Sequence, residues 1–395
     1  MTQAGFIAIT EILSGHADRL VTVLRIGESN DPFVSSRHLH FASFVLLPKI
    51  ERIPERLVME TNYDGNLGEH LDELLRDGGD LLDRIYSNCK GYPLGSSHKE
   101  IKAYLVGHSV RPNAYYVALP GRSRDDISNA IQVYQTAREY LDSGESDLRL
   151  YDVSRDKAWA DLVDYFKKCK CPQPSRSPVS QAQLKWQSRL NAALLLVLLL
   201  PLAILLLPIL LLITRIYERC EAGTAETPSY PADPRVYEYL NRGRQNHMCT
   251  LATIKTSKFR KFMIRLSLRL TNLLARRVFI RGHLEAMTTI HCASWSIIDD
   301  DRHVLFLASF DGSWSSYIDD FSDPPHLNAV WGNTKRFPRT RFLLWEGARH
   351  IQKFQAHVVE EFQPTYFFHR PYENHSVDSL LRCVEVRDNL ARSLE

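Results

Sequence analysis

Two pairings of a histidine with a carboxylate occur at matching places in the chain. His291 opens the apolar stretch "HCASWSII", and Asp311 closes "VLFLASFD". His40 opens "HFASFVLL", and Asp64 closes "RLVMETNYD". Both pairs of stretches flank a charged turn, Asp299–Arg302 in one and "PKIERIPE" in the other, so each reads as a β-hairpin. With the turn at Asp299–Arg302, positions summing to about 601 face each other, which puts His291 opposite Phe310 or beside Asp311. The first hairpin is four residues longer, all explicable in its turn, and an even number keeps the inside/outside parity of the strands. His40 and Asp64 then meet in the same way. A carboxylate there orients the imidazole and raises its pKa, which suits acid–base chemistry or the fixing of an axial ligand. The candidate catalytic set is therefore His40, Asp64, His291 and Asp311. The competing reading is structural. Asp-Gly after a strand is a turn signal, its Asp can cap the next helix, and a strand-end His can bond to that turn. A pattern present in both halves favours this reading over two active sites. His357, His369 and His375 belong to no motif and read as surface or packing residues.

The elements that position these residues repeat as well. "IYSNCKGYP" from Ile85 returns as "VWGNTKRFP" from Val330, "KEIKAYL" as "RHIQKFQ", and "AYYVALPGRSRDDISNAI" as "TYFFHRPYENHSVDSLL". The order holds over roughly a hundred residues in each half, the signature of an internal duplication into two like domains. In the first half, "GFIAITEI" reads as a strand, "HADRLVTVL" as a helix, then come the hairpin, the helix "LGEHLDELLRDGGDLLDRIY", a last strand "AYYVAL" and a closing helix. Asn66 is the expected N-cap of the long helix, with Glu69 as its capping-box partner. The order β-α-β-β-α-β is the split βαβ, ferredoxin-like plan. The second half repeats it. The expected fold class is α+β: residues 1–166 and 245–395 form two tandem ferredoxin-like repeats packed sheet to sheet, and residues 167–244 form a Pro-rich linker between them.

That linker carries the one segment foreign to a globular chain. From Ala192 to Ile213 it reads "AALLLVLLLPLAILLLPILLLI", with no charge. At 1.5 Å per helical residue it reaches about 33 Å, enough to cross a bilayer; the alternative is a buried core helix. Pro201 and Pro208 interrupt the run, and basic residues flank both ends, Lys185 and Arg189 before, Arg215 and Arg219 after. Prolines bend helices, and the positive-inside rule draws both flanks to the cytoplasmic face. A re-entrant or hairpin anchor with both repeats on one side is expected ahead of a single span. Cys169, Cys171 and Cys220 lie where acylation occurs, or are ordinary cysteines. Beyond the linker, Lys258, Lys261, Arg265, Arg269 and Arg276 line one face of a helix, and Phe262, Leu266, Leu270, Leu273 and Leu274 another. The apolar stripe is expected on the sheet, with the charges free to face lipid.

Bulk composition adds limits. The chain has 395 residues, 44% hydrophobic and 24% charged, with a net charge of +3, which gives no reason to expect nucleic acid as a partner. The seven cysteines show no paired spacing, in keeping with a reducing compartment, and no CxxC pair, HExxH, P-loop or GxGxxG supports a metal or nucleotide site.

The stretch from Thr289 to Arg349, with its "HCASW", "FDGSW" and "FPRTR", resembles a group of poorly characterised bacterial proteins with the same patterns. More distantly, tandem ferredoxin-like units with a strand-end Asp-Gly are similar to the dye-decolorising peroxidase and chlorite dismutase class, which binds haem. That class has Gly-x-x-Asp-Gly; here Thr61 and Ala308 stand where its first Gly falls. The resemblance implies haem as cofactor and a membrane-attached, peroxidase-like oxidoreductase. The alternatives are a non-catalytic membrane-bound interaction module and a lipid-binding or lipid-modifying protein. Membrane lipid is the expected partner in each, and homo-oligomers through pairing of like repeats stay open.

Overall fold

The protein is described from a computed structural model covering residues 3–143, 154–176, 179–221, 234–282, 284, 287–322, 325–372 and 374–395. The first half contains β1 (Gln3–Glu11), α1 (Ala17–Ser29), β2 (Leu39–Leu47), β3 (Arg56–Asp64), α2 (Leu67–Tyr86), α3 (His98–Gly107), β4 (Ala114–Val117) and α4 (Arg124–Asp142). Then come α5 (Arg155–Lys168), the long α6 (Gln181–Cys220) and α7 (Pro234–Leu240). The second half contains β5 (Gln245–Thr253), α8 (Lys258–Arg277), β6 (Ile290–Ile298), β7 (His303–Asp311), α9 (Trp314–Ser322) and α10 (Pro325–Trp331). It continues with the short β8 (Thr340–Arg341) and β9 (Trp345–Glu346), then α11 (Ile351–Glu361), β10 (Phe362–Gln363), β11 (Thr365–His369) and α12 (Val377–Leu394). Most of the Pro-rich stretch after the apolar run lies outside the described residues.

The fold is α+β with antiparallel sheets. One large sheet has the order β1-β3-β2-β11 and a second β10-β5-β7-β6-β4, while β8 and β9 form a separate two-stranded sheet. Each half therefore gives its last strand to the sheet of the other: β4 pairs with β6, and β11 with β2. Just before each crossing the chain touches its own sheet. His108 O and Val110 N bond to Ile9 N and Ile7 O of β1, while Phe362 and Gln363 pair with Thr250 and Cys249 of β5. Both sheet edges so joined are covered rather than left open to other chains. A last strand closing its own half's sheet is the expectation this corrects. Such a strand is four or five residues long, and its alternation says which face is buried but not which edge it joins.

Alternation assigns most apolar strand residues to one of three cores, while Phe41, Cys292 and Phe368 join a fourth with Leu119, Ile127, Tyr372 and Leu380. Phe6, Ala8, Ala42, Phe44, Leu57 and Met59 face the helices of the first half. Met248, Ala252, Ala293, Trp295, Phe306 and Phe310 face those of the second. Between the sheets, Ile7, Val45, Leu47 and Val58 meet Cys249, Leu251, Leu305 and Leu307. At the hairpin-turn end a buried ion pair joins the sheets: the Arg56 guanidinium lies 2.6 Å from Asp299, which also accepts from His303 Nδ1 at 2.7 Å. Burial pushes the Asp299 carboxyl up, but the bonds from His303 and Arg56 outweigh it and hold it below the ordinary range. At the opposite end α4 and α12, one from each half, pack on each other through Ala130, Cys383 and Val384. Asn66 does cap α2, accepting from Glu69 N at 2.9 Å.

Candidate functional site

Each of the two histidines is the extra residue of a β-bulge. In the first hairpin the register steps from Leu39↔Tyr63 to Phe41↔Asn62. In the second it steps from Ile290↔Phe310 to Cys292↔Ser309. A bulge re-aims a side chain, and here it brings each imidazole to the carboxylate at the end of the neighbouring strand. His291 Nε2 bonds to Asp311 Oδ1 at 2.7 Å. His40 Nε2 lies 3.1 Å from Asp64 Oδ2, without the alignment of a hydrogen bond, while its Nδ1 meets the Tyr372 hydroxyl at 2.9 Å. The two sites adjoin, since the Phe41 ring next to His40 packs 5.2 Å from the His291 ring.

The second oxygen contact of each aspartate is a helix start. Asp311 Oδ2 accepts from Val377 N, the first residue of α12, at 2.7 Å. Asp64 Oδ2 accepts from Arg124 N, the first residue of α4, at 2.7 Å. A carboxylate at these orphan N–H groups satisfies a donor and meets the positive end of the helix dipole. In both cases the helix follows a strand that has crossed into the other sheet. Each aspartate thus clamps its own sheet to the element that returns from the crossing.

Access decides what chemistry the dyads can support. His40 is 1% exposed and His291 4%. The gap beside them, lined by Phe41, Ser43, Glu60, Asn62, Cys292, Ser309 and Phe368, has a volume of about 0 Å³, too small for a water. On the outer face of the second sheet, beneath α11, Met248, Phe306, Trp331, Phe354, His357 and Glu361 enclose a cavity of about 10 Å³. Neither space fits a haem. Among the described residues no group of three or more His, Cys, Asp or Glu side chains converges as a metal site.

A buried polar cluster between the sheets has no counterpart in the sequence reading. Glu60 of β3 accepts from Ser294 Oγ of β6 and lies 3.3 Å from His247 Nε2 of β5, whose Nδ1 meets Thr365 Oγ1 of β11 at 2.8 Å. The signal was a charged residue at an inward position of an otherwise apolar strand, but its partners lie in the other half of the chain. His369 and His357, read as surface or packing residues, are both buried, and His369 Nδ1 bonds to Asp31 at 2.5 Å. Burial holds the His357 imidazole down at about 3 and, against the pull of Arg336, pushes the Glu361 carboxyl up to about 7. His375 is half-buried and bonds through Nδ1 to Ser379 Oγ.

The largest exposed apolar feature is α6. It runs unbroken from Gln181 to Cys220 through Pro201 and Pro208. The chain therefore does not turn back at the prolines, which corrects the re-entrant hairpin. A helix interior tolerates proline at the loss of one bond and with a bend. The most apolar stretch is unburied, with a mean hydropathy of 3.2, so it is not a core helix of this body. Both ends of α6 are nonetheless tied to the same domain. Ser188 Oγ and Asn191 Nδ2 donate to the carbonyls of Val278 and Arg277 at the end of α8. Tyr217 stacks on Phe259 at its start. Glu218 accepts from Thr340 Oγ1, Phe342 N and Leu343 N at 2.8, 3.0 and 2.9 Å. Lys185 and Arg189 thus flank the end of α6 that meets Arg277 and Val278, and Arg215 and Arg219 the end beside Glu218. Between these ties α6 covers about 39 Å and the α8 stretch beside it about 27 Å, at 1.5 Å per residue.

Helix α8 turns the opposite way from expectation. It buries Met263, Ile264, Leu268, Thr271 and Ala275 against the sheet. Phe262 and Leu270 are 51% and 41% exposed, and Leu266, Leu273 and Leu274 are half-buried. Helical apolarity here has two stripes, and the stripe with the smaller residues fits the sheet. Cys169 and Cys171 are paired with each other, which corrects the expectation of unpaired cysteines in a reducing compartment and leaves Cys220 as the exposed free thiol. No protein-family model, curated protein or solved structure matches the chain.

Proposed function

We propose that the protein is a membrane-attached, non-catalytic interaction module, built from two ferredoxin-like repeats that have exchanged their last strands. The observation that carries the reading is the middle of α6: the uncharged apolar run Ala192–Ile213, whose most apolar stretch is bare on the folded body. With both its ends bonded to one body, α6 lies along the bilayer face with its apolar middle immersed, and both repeats sit on one side. The exposed Phe262 and Leu270 of α8, with Lys258, Arg265 and Arg269 beside them, extend the same face. The basic flanks favour the cytoplasmic side. The matching bulges, dyads and strand crossings support the duplicated plan. The distant likeness to the haem-binding peroxidase class extends to the fold alone, because the dyads are buried and, among the described residues, the gap beside them is too small for a macrocycle.

Impermeant maleimide labelling of sealed vesicles tests this reading. Cys220 is the exposed native thiol at one end of α6, and Trp186→Cys adds one at the other. Both sites are expected to react, or to be protected, together. Reaction at one end only means that α6 is an ordinary span and that the ties at Ser188 and Glu218 do not hold in the membrane. Full release of the protein by alkaline carbonate would overturn membrane attachment itself.

A further inference from the structure

Where α6 ends, a cleft of about 770 Å³ opens between its last turns, the start of α8 and the loop from Gly332 to Glu346. Seven basic residues line it against three acidic ones. Two of the three acidic side chains are engaged by neighbouring donors, and the third, Glu346, is exposed. Glu221 lies between Lys255 Nζ at 3.0 Å and Arg260 Nη2 at 2.8 Å. Glu218, 6% exposed in its side chain, is held by the three donors of the loop and by Arg215 at 3.1 Å. Arg219 and Lys335 are exposed on the walls and have no carboxylate within ion-pair distance among the described residues. The amino end of the 20-residue α8, capped by Ser257, also opens into the cleft and adds positive partial charge.

The loop that forms the far wall has an unusual backbone. Arg336, Phe342, Leu343 and Glu346 all have positive φ, between 56° and 64°. Residues with side chains hold such angles where surrounding contacts impose them, and here Glu218 of α6 supplies two of those contacts, to Phe342 N and Leu343 N. The cleft is thus built by the apolar helix itself, at the point where the helix leaves its apolar run.

We propose that this cleft binds a phosphate-bearing anion, and that its source is the headgroup of an anionic phospholipid. The proposal rests on the membrane attachment argued above. Excess positive charge around a concave wall concentrates anions, and Arg and Lys donors favour phosphate oxygens. The apolar run beginning a turn or two away puts the acyl chains of such a lipid beside α6 while its phosphate reaches Arg219 and Lys335.

The test uses the full chain in non-ionic detergent and titrates dihexanoyl phosphatidic acid, read by native mass spectrometry. One saturable site is expected, and dihexanoyl phosphatidylcholine should bind far more weakly. Arg219→Glu with Lys335→Glu should weaken binding by at least about tenfold, as loss of charge-assisted phosphate contacts implies. The pair Lys258→Glu and Arg269→Glu, equally basic but on the α8 face outside the cleft, should leave it unchanged. Lys335→Gln, which leaves the loop backbone contacts in place, should give an intermediate loss and guards against misfolding of the charge-reversed variant. Inorganic phosphate is expected to compete only at much higher concentration. Equal potency of inorganic phosphate would overturn the lipid source. Equal binding of the choline lipid, or an equal loss in the α8 pair, would overturn the cleft. Because binding is measured without a bilayer, its failure is distinguishable from failure of membrane attachment, which the carbonate extraction reads.

Discussion

Removing the Asp311 carboxylate should unfasten α12 from the second sheet. Its two oxygens make two buried bonds, to His291 Nε2 and to Val377 N, both at 2.7 Å, and the side chain is 8% exposed, so solvent screens little of either. Hydrogen bonds to a charged partner contribute roughly 1.5–3 kcal/mol each, and the helix-start position adds about 0.3–1 kcal/mol. Asp311→Ala loses both and leaves a buried N–H unpaired, a cost of about 3–5 kcal/mol out of a total stability of roughly 5–15 kcal/mol. Asp311→Asn keeps an oxygen for Val377 N and should lose about 1–2 kcal/mol. Asp64→Ala loses the bond to Arg124 N and a His40 contact that is not aligned, so its cost should be smaller than that of Asp311→Ala. The assay is thermal unfolding of the detergent-solubilised full chain, in which Asp311→Ala should lower the midpoint by at least about 6 °C, at roughly 2 °C per kcal/mol. Amide hydrogen exchange adds a local readout, since the first turn of α12 should lose protection before the sheets do. An Asp311→Ala protein within about 1 kcal/mol of wild type, with that turn still protected, would refute the clamp.

Two further predictions concern charge. Glu361 has its pKa raised from 4.5 to about 7 by burial. The folded state thus binds the proton more tightly than the unfolded one, and the stabilisation present below about pH 4.5 is lost as pH rises through about 7. Glu361→Gln should match wild type at pH 4.5 and be more stable at pH 8 by up to about 3 kcal/mol, less whatever water reaches the half-buried carboxylate; urea midpoints that track wild type across that range would contradict it. Arg56→Met strands Asp299 between the sheets and should cost about 2–4 kcal/mol, with loss of exchange protection at the turn between β6 and β7; a cost below about 1 kcal/mol would show that the sheets do not depend on this pair.

Much of the candidate site was legible along the chain because it is local. A hairpin's register follows from its turn and its alternation, so His291 and Asp311 could be placed together, and the even length difference carried the argument to His40 and Asp64. The bulge that completes each contact was not legible, since one extra residue leaves the pattern on either side intact. The cap of α2 at Asn66 was readable for the same local reason. The capping of α4 by Asp64 and of α12 by Asp311 was weighed only as a generic turn signal, because the capped helices begin some sixty residues downstream in each case.

The sequence by itself determined that Ala192–Ile213 is a long uncharged apolar run, and the order of residues that α8 is amphipathic. Tertiary structure decided the rest. Proline in a helix specifies a bend or a break, and only the ties at Ser188, Asn191 and Glu218 show an unbroken helix held at both ends by one body. Helix α8 carries two apolar stripes, and the choice between them was made by the shape of the sheet it covers. The partners of β4 and β11, and of Glu60 and His247, lie in opposite halves of the chain. A four-residue strand or a lone buried carboxylate carries no address for a distant partner, because edge pairing and inter-sheet contacts depend on geometry that exists only once both halves have folded together.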